Sequence, residues 1–271
     1  MELRQKLIIS INSLSYFILA YLVVFFITNI SQAVIASFFN ISTVISNAKL
    51  LFFAVDGSWD FSSVKVIFIT PPVILSITGT ISLLLYCKII DYNGHIKLLF
   101  IWMFFHSALF FSSDLIFGGL TQQGVGHLLT WMYFHDTGKL VVCLFSFGIL
   151  YFLGKIFAKY FIFSGTIYFN KINKENEKFI YKYIFFIPVF IGEIFILTLN
   201  YPVVNIKDVS HLIVLLVFSF VVYSKLSGRK VYYIEYEKKK EVLFQHTPLI
   251  IMILLLFVVK IVFYYNYIRI H

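Results

Sequence analysis

Seven apolar runs limit what this chain can become, each close to the ~20 residues that carry a helix across about 30 Å of hydrocarbon. They are Leu14–Phe38, Val66–Ile90, Leu98–Phe117, Leu140–Phe163, Tyr183–Asn200, His211–Tyr223 and Pro248–Tyr267, the sixth shorter than the others. Of the 271 residues, 60% are hydrophobic and 13% charged. Soluble domains have roughly 45–50% and about 25%. One water-soluble core cannot hide so much apolar surface, so part of the solvent must be lipid. Lipid gives backbone groups nothing to bond to, and runs of this length therefore pair them internally as helices. The expected fold is all-α: one integral membrane domain over residues 1–271, a polytopic transmembrane helical bundle of about seven spans.

The net charge of +9 does not point to nucleic acid, because the basic residues lie between the apolar runs and sort by side. Arg4, Lys6, Lys88, Lys97, Lys155, Lys159 and the lysines of Asn170–Lys182 and Ser224–Gln245 share one side with Arg229. The other side keeps only Lys49, Lys65, Lys139, Lys207 and Arg269. The positive-inside rule then predicts a cytoplasmic (inner) membrane, a cytoplasmic N-terminus, an external C-terminus and an odd number of spans. The EYEKKKE segment of the second loop is expected to lie against anionic lipid. Arg4 and Lys6 before an apolar run resemble a secretory signal, but the run is too long and lacks a small-x-small site, so a retained first helix is expected. Cys87 and Cys143 sit far apart in apolar runs and read as small buried hydrophobes, not a disulfide.

Smaller features mark the joints. Ser42–Lys49 is expected to form an interfacial or re-entrant segment, with Trp59 anchoring at the interface. Pro71–Pro72 should kink the second span or delay its start. The glycines of GGLTQQGVG should break the chain after the third span. The short HLLTWMYF run then reads as a re-entrant half-helix near 124–135, shielded by protein or water.

Most of the candidate chemistry lies between His95 and Asp136. His106 and Asp114 are eight residues apart, about 80° around a helix, and so share a broad face. His127 and His135 repeat that spacing, Asp136 follows, and Asp208 with His211 opens the sixth span on the same side. Imidazole and carboxylate together suit zinc, so His106, Asp114, His127 and His135 are the candidate metal ligands. The plainer alternative is a histidine bonded between helices beside a polar loop. Bis-histidine haem needs two imidazoles at similar depth, and only His106 lies mid-span. Glu193 (IGEIF) and Lys260 (VVKIV) are expected to pair inside the membrane, as a register-fixing ion pair or as part of a proton relay. No phosphate-binding loop, nucleophile elbow or dinucleotide fingerprint occurs.

The stretch Tyr21–Asn40, YLVVFFITNISQAVIASFFN, resembles a degraded form of the active helix of site-2-protease-like membrane metallopeptidases. That helix carries HExxH, and the matching positions here are Thr28, Asn29 and Gln32, with Ile30 and Ser31 between. The resemblance covers about 20 residues. It implies a relative without the zinc ligands and glutamate base, since Thr, Asn and Gln cannot replace that set. The expected function is a non-catalytic accessory or interaction subunit whose contacts are the bilayer and a membrane-protein partner, with no nucleic acid. Two alternatives stay open, an intramembrane metal-dependent hydrolase and a small-molecule or proton-coupled transporter.

Overall fold

The computed structural model describes residues 3–45, 50–53, 59–91, 94–170, 172–201, 206–226, 242–265 and 268–270. The fold is an all-α helical bundle with one small sheet. Its helices are α1 (Leu3–Ser37), α2 (Phe61–Lys88), α3 (Ile96–Thr121), α4 (Val125–Trp131), α5 (Asp136–Phe161), α6 (Lys174–Phe179), α7 (Ile187–Asn200), α8 (Ile206–Leu226) and α9 (His246–Tyr265). A 3-10 turn extends α5 to Ile167, and a π-helical stretch, Ile180–Phe186, fuses α6 to α7. Among the described residues five helical stretches are long and apolar enough to cross a membrane: Leu3–Ser37, Phe61–Lys88, Ile96–Thr121, Asp136–Ile167 and Lys174–Asn200. α8 and α9 contribute shorter apolar stretches, Val209–Ser224 and His246–Ile261. The chain is thus a multi-pass integral membrane protein.

Outward faces carry the apolar stripes that lipid demands. Val66, Ile69, Val73, Ile77, Ile81 and Leu84 are exposed along α2, and Phe186, Phe190 and Ile194 along the π-helix and α7. Val209, Ile213, Leu216 and Phe220 repeat the pattern on α8. These three- and four-residue steps keep one face of each helix toward the hydrocarbon.

α1 is the central helix. Every residue from Ser15 to Leu22 is buried, and the helix packs against α2, α3, α7 and α9. Beside it stands an aromatic core in which Trp102, Phe105, Phe157, Phe161, Phe185 and Phe218 are fully buried. Trp102 meets Phe17 edge-on at 4.9 Å and stacks on Phe185 at 5.9 Å.

Polar side chains of α1 repair backbone gaps in its neighbours. Pro188 has no N–H to give Ile184 four residues earlier, and Ser13 Oγ donates to that carbonyl at 2.7 Å while accepting from Trp102 Nε1 at 3.2 Å. Pro71 likewise cannot serve Ile67, whose carbonyl receives Gln32 Nε2 at 3.1 Å. Asn12 holds the approach to α9, donating to the Leu243 carbonyl and accepting from the Gln245 N–H.

Several local expectations change. α2 begins at Phe61, set by a capping box in which Asp60 accepts from the Ser63 N–H and Ser63 Oγ accepts from the Asp60 N–H. Pro71 and Pro72 therefore lie inside the helix and do not delay its start. The interval after α1 is an antiparallel hairpin, β1 (Ser42–Ile45) with β2 (Leu50–Phe53). β3 (Ile268–Ile270) pairs with β1 on its other side, giving the order β2-β1-β3. The C-terminal strand thus returns to the end of the bundle where α1 finishes. Trp59 packs into this corner, stacked on Phe68 at 6.0 Å. Lys49, Lys171 and the EYEKKKE segment lie outside the described residues. Lys97, expected in a loop, is fully buried at the start of α3 and donates to Thr166 Oγ1 at 2.5 Å. Cys87 and Cys143 are free.

Two predictions follow from these contacts. Ser13→Ala leaves the Ile184 carbonyl and the Trp102 N–H without their partner and should cost about 1–3 kcal/mol in thermal unfolding in detergent. The loss should shrink by about 1 kcal/mol when Pro188→Ala restores a backbone donor, and a strictly additive double mutant would refute the coupling. His95, between α2 and α3, is held down at about 4 by burial and then by the Lys97 charge. Its neutral ring favours the fold above its unfolded value of about 6.5, and that contribution is lost as the pH falls toward about 4. His95→Gln should flatten the decline in melting temperature across this window.

Candidate functional site

Between α1, α2, α3, α4 and α8, at the end where the sheet lies, the bundle opens into a cavity of about 380 Å³. α1 contributes Tyr21, Phe25, Thr28, Asn29 and Gln32; α3 contributes Phe110, Asp114 and Phe117; α8 contributes Ser210 and His211. Leu50 and Phe52, alternate residues of β2, form part of the wall, with Phe68, Pro71 and Leu75 of α2 opposite.

The Asp114 position is built by a tight turn. α3 breaks within GGLTQQGVG as expected, but only after running through Gly118 and Gly119 to Thr121. The chain turns at Gln122 (φ 54°) and Gly124 (φ 54°), both at positive φ. Gly124 lies directly against the Asp114 carboxylate, where a Cβ would collide with it. Gly118 and Gly126 pack backbone to backbone, which locks α4 onto the end of α3.

The structure sorts the candidate residues. Asp114 and His127 line the cavity, and the His127 ring lies 4.7 Å from that of Phe68. His211 joins them, stacked on Phe110 at 4.8 Å, with Nε2 at 3.4 Å from Glu193 Oε1. His106 does not. It is fully buried against Phe17 and Tyr21, and its Nε2 is bonded to the Phe17 carbonyl at 3.1 Å. His135 is exposed at the start of α5, and Asp136 is solvent-facing with Lys139 Nζ at 3.8 Å. The four expected zinc ligands are therefore not assembled: among the described residues no group of three or more His, Cys, Asp or Glu is placed to hold a metal. The spacing put His106 and Asp114 on one broad face, but two turns separate them in depth, and Phe110, one turn on, packs its ring 6.4 Å from that of His106. The side chain of Asp208 lies outside what is described.

The expected Glu193–Lys260 pair is also replaced. Glu193 is buried against His211, whereas Lys260 Nζ reaches the end of α7 and donates to the carbonyls of Thr198 (3.4 Å), Leu199 (3.2 Å) and Tyr201 (2.8 Å). These carbonyls lie at the end of α7, where intrahelical N–H donors run out, so they compete well for an ammonium.

Thr28, Asn29 and Gln32, singled out through the resemblance, lie together on the α1 wall. Ser113, Asn200 and Ser210, also on the wall, escaped the sequence analysis. Single small polar residues near the ends of apolar runs carry little signal. Compared with protein-family models, curated proteins and solved structures, the chain matches none.

If Lys260 and Glu193 serve separate partners, Glu193→Gln and Lys260→Met should add within about 0.5 kcal/mol in unfolding measurements. Glu193→Gln and His211→Gln should instead couple by at least about 0.5 kcal/mol. The reverse order would restore the original pairing.

Proposed function

We propose that this protein is a non-catalytic accessory subunit of a cytoplasmic (inner) membrane that receives an extended segment of a membrane-protein partner. One observation carries the reading: β2 pairs with β1 alone among the described residues, and its Leu50 and Phe52 also wall the cavity. An edge strand offers backbone N–H and C=O groups to an incoming strand, and a flanking cavity accepts its alternate side chains. Thr28, Asn29 and Gln32 supply polar contacts but neither a zinc ligand set nor a general base, which supports a metallopeptidase-like relative that binds without cleaving. The excess of basic residues in one set of loops supports a cytoplasmic N-terminus, and on this reading seven crossings would put the sheet and cavity on the outer side.

A hydrolase using His106, Asp114, His127 and His135 has less support, because His106 and His135 stand outside the cavity. Transport has one observation in its favour, the buried Glu193–His211 contact behind the cavity wall, where a proton could be exchanged with a bound solute.

A photoreactive amino acid in place of Phe53, which is 52% exposed, tests the main reading. A discrete cross-link to one membrane protein in cells is expected, lost on Leu51→Pro and absent when the probe replaces the lipid-facing Leu144. Cross-linking that survives Leu51→Pro would sink it.

A further inference from the structure

Deep in the cavity the wall changes character. Tyr21 lies about three turns further along α1 into the bundle than Gln32, and around it the lining is aromatic. Tyr21 stacks with Phe25 at 6.0 Å and meets Phe110 at 5.7 Å, and Phe110 in turn stacks on His211 at 4.8 Å. Side chains of α1, α3 and α8 thus join in one continuous ring wall that ends in an imidazole.

That imidazole is short of partners. His211 is 7% exposed, and neither of its ring nitrogens makes a hydrogen bond among the described residues. Nε2 is turned to Glu193 Oε1 at 3.4 Å, near enough for attraction but long for a hydrogen bond, which leaves Nδ1 for another partner. A buried nitrogen left bare costs free energy, and in a cavity wall its partner comes from whatever fills the cavity.

From these two observations together we infer that the inner end of the cavity binds a phenolic ring, packed against Phe25 and Phe110 with its hydroxyl on His211 Nδ1. A hydroxyl both donates and accepts, so it serves the nitrogen whether or not that nitrogen carries a proton. Water would satisfy the imidazole but gives nothing to the rings. An aliphatic alcohol fills the space but forgoes the edge-to-face and offset-stacked contacts that aromatic pairs prefer. The ring is uncharged, so its seating does not depend on the ionic groups nearer the sheet. At about 380 Å³ the cavity is within the range of small-ligand sites, about 300 to 1,000 Å³, and leaves room toward the sheet for whatever carries the ring. The carrier can be a free molecule or a partner segment presenting a tyrosine, and the inference holds whether or not a strand adds to β2.

Calorimetry on the full chain in detergent micelles, with each affinity referred to the probe's partition into empty micelles, tests this. p-Cresol is compared with p-xylene, in which a methyl group replaces the hydroxyl, and with 4-methylcyclohexanol, in which the ring is saturated. p-Cresol should bind about threefold more tightly or better than either. His211→Phe should erase the margin over p-xylene. Because His211 also contacts Glu193, Phe25→Leu is the second variant, and it should narrow the margin over 4-methylcyclohexanol. A blocked pentapeptide with a central tyrosine is then run against its phenylalanine counterpart. A tyrosine preference lost on Leu51→Pro assigns the ring to a partner segment on β2, and one that survives supports the ring site while counting against strand docking. A p-cresol preference without a tyrosine preference assigns the ring to a free ligand. Binding of p-xylene or 4-methylcyclohexanol as tight as that of p-cresol, no p-cresol binding beyond the empty micelle, or an unchanged margin over p-xylene in His211→Phe would overturn the proposal.

Discussion

The structure depends on α1 completing the backbone hydrogen bonding of helices that prolines have interrupted. A carbonyl left bare inside hydrocarbon has no water to turn to and costs several kcal/mol. Two helices facing α1 contain such carbonyls, Ile67 below Pro71 and Ile184 below Pro188, and α1 presents Gln32 to one and Ser13 to the other. The two contacts lie more than five turns apart on a 35-residue helix. Together they fix both the rotation and the axial position of α2 and α7 against it, which apolar packing alone, indifferent between protein and lipid, would define weakly.

The same arrangement makes the cavity. Gln32 is drawn toward α2 by the Ile67 carbonyl, and the two residues a turn earlier, Thr28 and Asn29, bond back to their own helix. A wall of hydroxyl and amide groups results, held rigidly and already partly satisfied. On the far side Asp114 is fixed by the positive-φ turn at Gly124, and His211 by its stack on Phe110.

How much of this was legible before the fold was known depended on the length scale of the signal. Helices announced themselves, because hydrocarbon thickness demands long apolar runs, and the bundle followed. The sheet did not. β1 and β2 are four residues each, too short to show a period, and β3 reaches β1 from the other end of the chain. The expected break within GGLTQQGVG does occur, but past its first two glycines: glycine permits a turn without requiring one, and at Gly118 close contact with Gly126 uses the missing side chain instead. Thr28, Asn29 and Gln32 were found through a motif resemblance. Asp114 and His127 were found as rare ionisable groups, and both reach the cavity. His106 met the same criterion and turned out to be an interhelical tie, since burial alone does not say which neighbour a histidine faces.

The fate of Lys260 and Glu193 shows why opposite charges in two spans are a poor guide to pairing. An ammonium in hydrocarbon needs several acceptors, and one carboxylate supplies them no better than the three carbonyls at the end of α7. Those carbonyls also carry the negative end of the helix dipole and require no second desolvated ion, so the lysine gains its partners without the cost of burying a counter-charge. Glu193, released from Lys260, meets His211 instead. The acid thereby stands one residue behind the cavity wall, joined to it through an imidazole, and the polar interior of the bundle becomes continuous from α7 to the cavity.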